Sequence, residues 1–228
     1  MRQAEKNMYS LPVISVLLTL IFFILRIIHL VRIRGNRPIL KTPRKGVEKF
    51  QILVVLGSGG HSTEMLRLLT PFKDKARKVE FTFVVADTDH TSIPRIPSIL
   101  GEAFPVSFRV TYIKRIRNVG DSLLIALQRI PSTFFSSLAV LFRTKPDLIL
   151  VNGPGTCLPL VFASFILQVS YLSPPVVTVF AESFCRTRSL SVTGKILYPF
   201  VDLFVIQWPP TDEMKRKYPK AKYLGVLL

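Results

Sequence analysis

The 228-residue chain is poor in cysteine, in acids and in histidine. Its two cysteines, Cys157 and Cys185, have no CxxC spacing, which excludes a disulfide framework and a thiolate zinc site. Both are expected to be reduced, buried, inert thiols, as in a cytosolic domain. Fourteen acidic residues face 31 basic ones, for a formal charge of +17. Ten of the basic and two of the acidic residues lie in 1–49, which puts +8 there and +9 in the remainder. Such an excess calls for anionic partners: a lipid surface, phosphorylated ligands or nucleic acid. No DNA- or RNA-binding signature accompanies it, so nucleic acid is not expected. Internal repeats and low-complexity tracts are also lacking.

What the chain does have is a long apolar run near its start. Leu11 to Leu25 is uncharged, but 15 residues of helix reach only about 22 Å, short of the roughly 30 Å hydrocarbon core. Extension to Val31 suffices and encloses Arg26 and His29, with Arg26 expected to snorkel toward the headgroups. An interfacial helix and a cleaved signal peptide are the alternatives. The lack of a small-x-small cleavage site and the position of the charge, after the run, favour a spanning anchor. The expected division is a short luminal N-terminus (1–10), an anchor helix (11–31), a basic juxtamembrane linker (32–49) and one domain (50–228). Arg32, Arg34, Arg37, Lys41, Arg44 and Lys45 follow the apolar run, so the positive-inside rule places the domain in the cytosol. The linker should also gain affinity for anionic lipid.

From Phe50 onward the pattern alternates. Strand-like runs are expected at 51–56, 79–86, 108–113, 148–151, 176–181, 203–207 and 222–226. Helices are expected at 62–71, 121–142, 156–169, 191–201 and 211–217. Residues 87–105, interrupted by prolines, read as an irregular loop. Apolar central strands alternating with helices specify α/β architecture: a Rossmann-like parallel sheet flanked by helices. The apolar runs 134–142 and 158–169 are too short to span a bilayer. They are expected as buried or membrane-facing amphipathic helices.

Three strand ends carry candidate chemistry. The first strand stops at Gly57, Ser58, Gly59 and Gly60, and a helix begins with His61. Glycine permits positive φ and close approach of a ligand, and a helix N-terminus favours an anion. The loop is not a Walker A motif, because no Gly-Lys-Ser/Thr follows. Ser62 stands where a dinucleotide fingerprint needs its third glycine. A phosphate or diphosphate loop and a purely structural turn both remain. His61 can serve as general base, or simply as a capping residue. Glu64 reads as an ordinary first-turn acid complementing the helix dipole. The fourth strand ends the same way, at Asn152, Gly153, Pro154, Gly155 and Thr156. In open parallel sheets ligands bind beyond the carboxyl ends of strands, so two such loops could together cradle a diphosphate. The fifth strand ends at Glu182 and Arg186, suited to hydroxyl recognition and phosphate pairing, or to a local ion pair. Asp87 and Asp89 form a weak metal pattern that a turn explains equally well. Neither a metal nor a cofactor is expected.

Several ordered motifs together resemble one family. They are Leu56-Gly-Ser-Gly-Gly-His61, Ala86-Asp-Thr-Asp89, Asn152-Gly-Pro-Gly-Thr156, Glu182-Ser-Phe-Cys-Arg186, Ser191-Val-Thr-Gly-Lys195, Val205-Ile-Gln-Trp208 and Tyr218-Pro through Tyr223-Leu-Gly225. The family is the eukaryotic membrane-anchor subunit of the second N-acetylglucosaminyltransferase of dolichol-linked oligosaccharide synthesis, asparagine-linked glycosylation protein fourteen. The stretch 93–105 looks longer than the family pattern. The resemblance implies the N-terminal, acceptor-binding half of a GT-B glycosyltransferase, similar to the MurG type. It implies transfer of N-acetylglucosamine from UDP-N-acetylglucosamine to GlcNAc-diphosphodolichol, with a β-1,4 linkage, on the cytosolic face of the endoplasmic reticulum membrane. The nuclear envelope is a second location in this reading. The donor-binding half would be a separate soluble chain, asparagine-linked glycosylation protein thirteen. Docking of that chain is implied for the tail Tyr223, Leu224, Gly225, Val226, Leu227 and Leu228. The preceding GlcNAc-phosphate transferase is a further implied partner.

The length is in keeping with this. About 180 residues follow the linker, which is one domain's worth, so a two-domain sugar-nucleotide enzyme does not fit. His61 is the expected base, with Glu182 as alternative or acceptor-orienting group. The expected rivals are a membrane scaffold whose Gly loops are structural and a nucleotide-cofactor oxidoreductase. Ser62 and the lack of a clear ribose-binding acid after the second strand weigh against the latter, while Asp87 keeps it open.

Overall fold

A computed structural model describes residues 2–35, 49–72, 79–101, 108–116 and 121–227, without the side chains of 2–12 and 123. Seven strands form one parallel sheet: β1 (Phe50–Leu56), β2 (Val79–Ala86), β3 (Phe108–Ile113), β4 (Leu148–Val151), β5 (Val177–Ala181), β6 (Leu203–Ile206) and β7 (Ala221–Tyr223). Their order is β3-β2-β1-β4-β5-β6-β7. The order reverses between β1 and β4, which pair directly through Ile52 to Val54 and Leu148 to Leu150. The two glycine loops follow these two strands, so both open at the topological switch point.

Helices cover both faces. On one side α2 (Gly60–Leu69) and α3 (Ser92–Leu100) pack Met65, Leu66, Leu69, Ile96 and Leu100 onto Ile52, Val54 and Leu56. On the other, α4 (Leu123–Thr144) and α5 (Cys157–Val169) pack onto Leu53, Val55, Ile149 and Val151. Alternate β1 residues thus enter opposite cores, as a strand buried on both faces requires. Two short helices, α6 (Val192–Leu197) and α7 (Asp212–Lys217), complete the domain. The N-caps Ser122, Ser191 and Thr211 each accept a bond from a first-turn N–H.

Helix α3 corrects the expected irregular loop. Pro94 sits in its first turn, where a missing N–H costs nothing, and Pro97 is tolerated inside. The end is capped from outside: Asp89 accepts from the Thr91 and Ser92 N–H groups and from both hydroxyls. Those bonds occupy the Asp89 carboxylate and account for it without a metal. The rest of the expected loop, 102–105, lies outside the described residues.

Helix α1 (Arg2–Ile33) includes the expected anchor and runs past it. Val13–Ile33 is a 21-residue apolar stretch that is almost wholly unburied. It rises about 32 Å, enough to cross a bilayer. Its C-terminal end is built into the domain. Leu30 is fully buried against Phe165 and Val169. Arg26, expected to snorkel, lies 4.2 Å over the Tyr171 ring and donates to the Gln168 carbonyl. Arg34, expected in the linker, is buried and pairs with Asp202 at 3.0 Å. Residues 36–48 of that linker lie outside the described residues. The contacts at 165–171 and 202 precede β5 and β6, so helix α1 joins at the amino ends of these strands.

Helix α4 forms where expected, over 22 residues, but its apolar stretch is longer than the 134–142 run: Leu124–Thr144 is long and apolar enough to span a membrane by length and composition. Its inner side packs on the sheet. Leu124, Leu127, Phe135 and Phe142 form an exposed stripe at helical spacing.

Candidate functional site

The first loop is set by β1, which delivers Gly57 at its carboxyl end, and by Gly59, whose φ of +71° suits glycine. The second loop is interlocked with it. A Cβ on Gly57 would lie 2.4 Å from Pro154 Cγ, and one on Gly153 would lie 2.8 Å from His61 Cε1. Only hydrogens at these positions let the loops close on each other. Asn152, buried, donates from Nδ2 to the His61 carbonyl at 2.8 Å. Cys157 Sγ donates to the Asn152 carbonyl, and burial pushes its thiol well above the ordinary range. Cys185, expected to be buried, is exposed.

A cleft of about 410 Å³ opens where the loops meet. Gly60, His61 and Glu64 line it from α2, Gly153 from the second loop, and Ser183, Cys185 and Arg186 from the loop after β5. Ser191, Val192 and Thr193 at the start of α6 close it. Predicted residues from three strand ends therefore meet in one place. Within or beside the cleft, His61 Nδ1, Asn152 Oδ1 and Thr156 Oγ1 are buried without a hydrogen-bond partner. Each such atom costs about 1–3 kcal/mol unless water or a ligand meets it. They mark a site built for a polar molecule.

Glu182 is placed differently. It is buried and does not line the cleft. Oε1 accepts from the Ser183 N–H, and Oε2 from the Ser191 N–H and hydroxyl. Burial pushes its carboxyl above the usual range, against the pull of these donors and of Arg186. In this position it fixes the 183–191 loop. Ser58 lies outside the cleft lining and receives a hydrogen bond from Arg115. Gly155 leads into α5 with open space where a side chain would project.

Two arginines near the glycine loops escaped the sequence reading, and one acid has a different role from the one expected. Arg95, on the unexpected α3, donates to the Gly59 carbonyl and to Ser62 Oγ. Arg115, just past β3, donates to Ser58 Oγ at 3.1 Å. Glu64 is not in the first turn; its Oε1 accepts from Ser183 Oγ at 3.0 Å, and its Oε2 lies 3.9 Å from His61 Nδ1. Its i+3 spacing from His61 was the available signal. Arg95 offered none, because its helix was unforeseen.

The tail leaves the sheet from its edge strand. Tyr223, Leu224, Val226 and Leu227 are exposed, and the Leu227 N–H donates to the buried Gln207 side chain. Gly225 takes a φ of +93°. Leu228 lies outside the described residues.

Comparison with known proteins adds to this geometry. The family model described as "Oligosaccharide biosynthesis protein Alg14 like" matches residues 52–227. The UDP-N-acetylglucosamine transferase subunit ALG14 of Homo sapiens is 39% identical over 198 residues, covering 81% of this chain and 84% of that protein. The subunit of the same name from Schizosaccharomyces pombe is 35% identical over 225 residues, covering 97% and 99%. Among solved structures, Acinetobacter baumannii MurG superposes with a TM-score of 0.51 at 16% identity, over 71% of this chain and 42% of that one. A putative UDP-N-acetylglucosamine 2-epimerase from Listeria monocytogenes gives 0.53 at 17%, over 76% and 42%. At such identities the likeness concerns the fold alone, and the chain spans under half the length of either structure. Taken with the 52–227 match, these relatives settle the family: the chain belongs to the Alg14-like oligosaccharide biosynthesis proteins.

Proposed function

We propose that this chain is the membrane-anchoring, acceptor-binding subunit of a two-chain UDP-N-acetylglucosamine transferase. The acceptor is GlcNAc-diphosphodolichol, the product carries a second GlcNAc in β-1,4 linkage, and the site faces the cytosol at the endoplasmic reticulum. The observation that carries the reading is the pair of interlocked glycine loops at the switch point of a domain whose anchor helix is part of its fold. Orphaned buried polar atoms at those loops favour a ligand-binding half over a mere scaffold. The relatives' names, as transferase subunits, supply the reaction class and the need for a partner.

The glycine loops, with Arg95, Arg115 and Arg186 near them, hold the acceptor diphosphate. His61 Nε2 takes the proton of the acceptor C4 hydroxyl as its oxygen attacks C1 of the donor sugar. The C1–O bond to UDP breaks, and its electron pair leaves on the β-phosphate oxygen. Attack opposite the leaving group inverts C1 and gives the β product. The donor is held by the partner, a soluble GT-B C-terminal-half chain, which docks on residues 223–228. The anchor joins the amino ends of strands, whereas the cleft lies at the carboxyl ends. Helix α4, with the apolar stripe on its outer side, runs about 33 Å for 22 residues between the two ends of the sheet. Laid on the bilayer, it brings the cleft to the lipid surface.

Co-purification tests the reading. The full chain, expressed in membranes, should retain the soluble partner and transfer GlcNAc to the lipid acceptor. Deleting 223–228 should remove both. Transfer by the isolated chain, or retention of the partner without the tail, would overturn the two-chain reading.

A further inference from the structure

The Glu64 carboxylate is mostly buried, with a side chain 19% exposed. No lysine or arginine pairs with it among the described residues. A buried carboxylate without a cation needs strong donors. Ser183 supplies one, its hydroxyl bonded to Oε1 while its own oxygen accepts from the Cys185 N–H. Ser183 is in turn held by Glu182, which accepts from its backbone N–H. The second oxygen, Oε2, faces the buried and unpartnered Nδ1 of His61 across 3.9 Å. An acceptor without a full set of donors thus confronts a donor without an acceptor, one turn along the same helix.

We propose that Glu64 is the positioning residue for His61. With substrate bound, the gap closes by about 1 Å and Nδ1–H donates to Oε2, since such bonds are often long in the unliganded state. That bond fixes the tautomer, leaving the lone pair on Nε2 for the acceptor hydroxyl. The proton taken up by Nε2 makes an imidazolium, and Glu64 stabilises its charge, as a carboxylate does behind a catalytic histidine elsewhere. The other titratable groups lining the cleft with His61 and Glu64 are Cys185 and Arg186, from the loop after β5, and Glu182 is buried. Gly153 and the 191–193 segment contribute no titratable side chain.

This rests on His61 being the base, so the test separates the two. The complete membrane complex is assayed for GlcNAc transfer with saturating partner. Glu64→Gln should lower kcat by roughly 10²-fold, the cost of a misplaced catalytic group, with acceptor KM changed less than about twofold. Loss of the negative charge should also move the acid limb of the pH-rate profile to lower pH. Glu64→Gln added to His61→Ala should cost nothing more, whereas a merely structural carboxylate would cost as much in that background as in the parent. If Glu64→Gln does not accumulate, Ser183→Ala frees the carboxylate without removing it and should lower kcat about tenfold at unchanged KM. Wild-type kcat in Glu64→Gln or Ser183→Ala, with His61→Ala inactive, refutes the positioning role and leaves the base in place. An active His61→Ala refutes the base reading itself.

Discussion

Gly153→Ala tests the interlocked loops most directly. The added Cβ would lie 2.8 Å from His61 Cε1, 3.4 Å from Nδ1 and 3.5 Å from Nε2. Carbon atoms normally rest about 3.5–4.0 Å apart, so the ring must retreat by about 1 Å. The Cε1 atom joins the two nitrogens, so both move with it. Displacing a reacting group by about 1 Å costs about 10²-fold in rate, or about 2.7 kcal/mol on the barrier. Backbone cost should be small, because Gly153 has no positive φ. The expected result is an intact two-chain complex with kcat down about 10²-fold. The assay is transfer of labelled GlcNAc to a GlcNAc-diphosphoryl lipid, run on Gly153→Ala, His61→Ala and the double variant. If the methyl acts through His61, the double variant is no worse than His61→Ala alone. Unchanged turnover in Gly153→Ala would refute the steric reasoning. Additive losses would refute its route through the imidazole.

Other outcomes follow from the same geometry. Arg34→Ala removes the guanidinium from the buried Asp202, and breaking such a pair costs roughly 3–5 kcal/mol. The detergent-solubilised domain should melt about 10 °C lower, and an unchanged Tm would show that the anchor end is not part of the core. Replacing Arg95 and Arg115 by Gln should each raise the acceptor KM by about tenfold without changing kcat, as expected of exposed charge-assisted contacts. A kcat effect instead would place them elsewhere in the cycle. For Asp89, burial acts to raise the carboxyl, but the Ser92 and Thr91 donors outweigh it and hold it below the usual range. A depressed folded value stabilises above the unfolded value of about 4, and that contribution is lost as pH falls through the folded value. Amide protection in 92–100, taken relative to the intrinsic exchange rate at each pH, should therefore fall on acidification, and Asp89→Asn should flatten the response. Acid-insensitive protection in the parent chain would contradict the cap.

The sequence alone determined whatever depends on neighbours along the chain. Strand β1, the turn at Gly57–Gly60 and the start of α2 were legible because a β run, glycine punctuation and a helical pattern are local signals. The same holds for the second loop and for the apolar N-terminal helix. Helix α3 was not legible. Its prolines argue against a helix locally, and the Asp89 cap and the burial of Ile96 and Leu100 outweigh them only in the folded domain. Arg34 read as a linker charge, and only the approach of Asp202, 168 residues later, puts it in the core. Glu182 and Glu64 show the division most clearly. Both are carboxylates that follow a strand in the sequence. Tertiary structure ties one to the Ser183 and Ser191 donors behind the cleft and turns the other toward the imidazole. Residue type and spacing announce which chemistry a chain can do, but burial and the identity of the facing atom are set by elements distant in sequence.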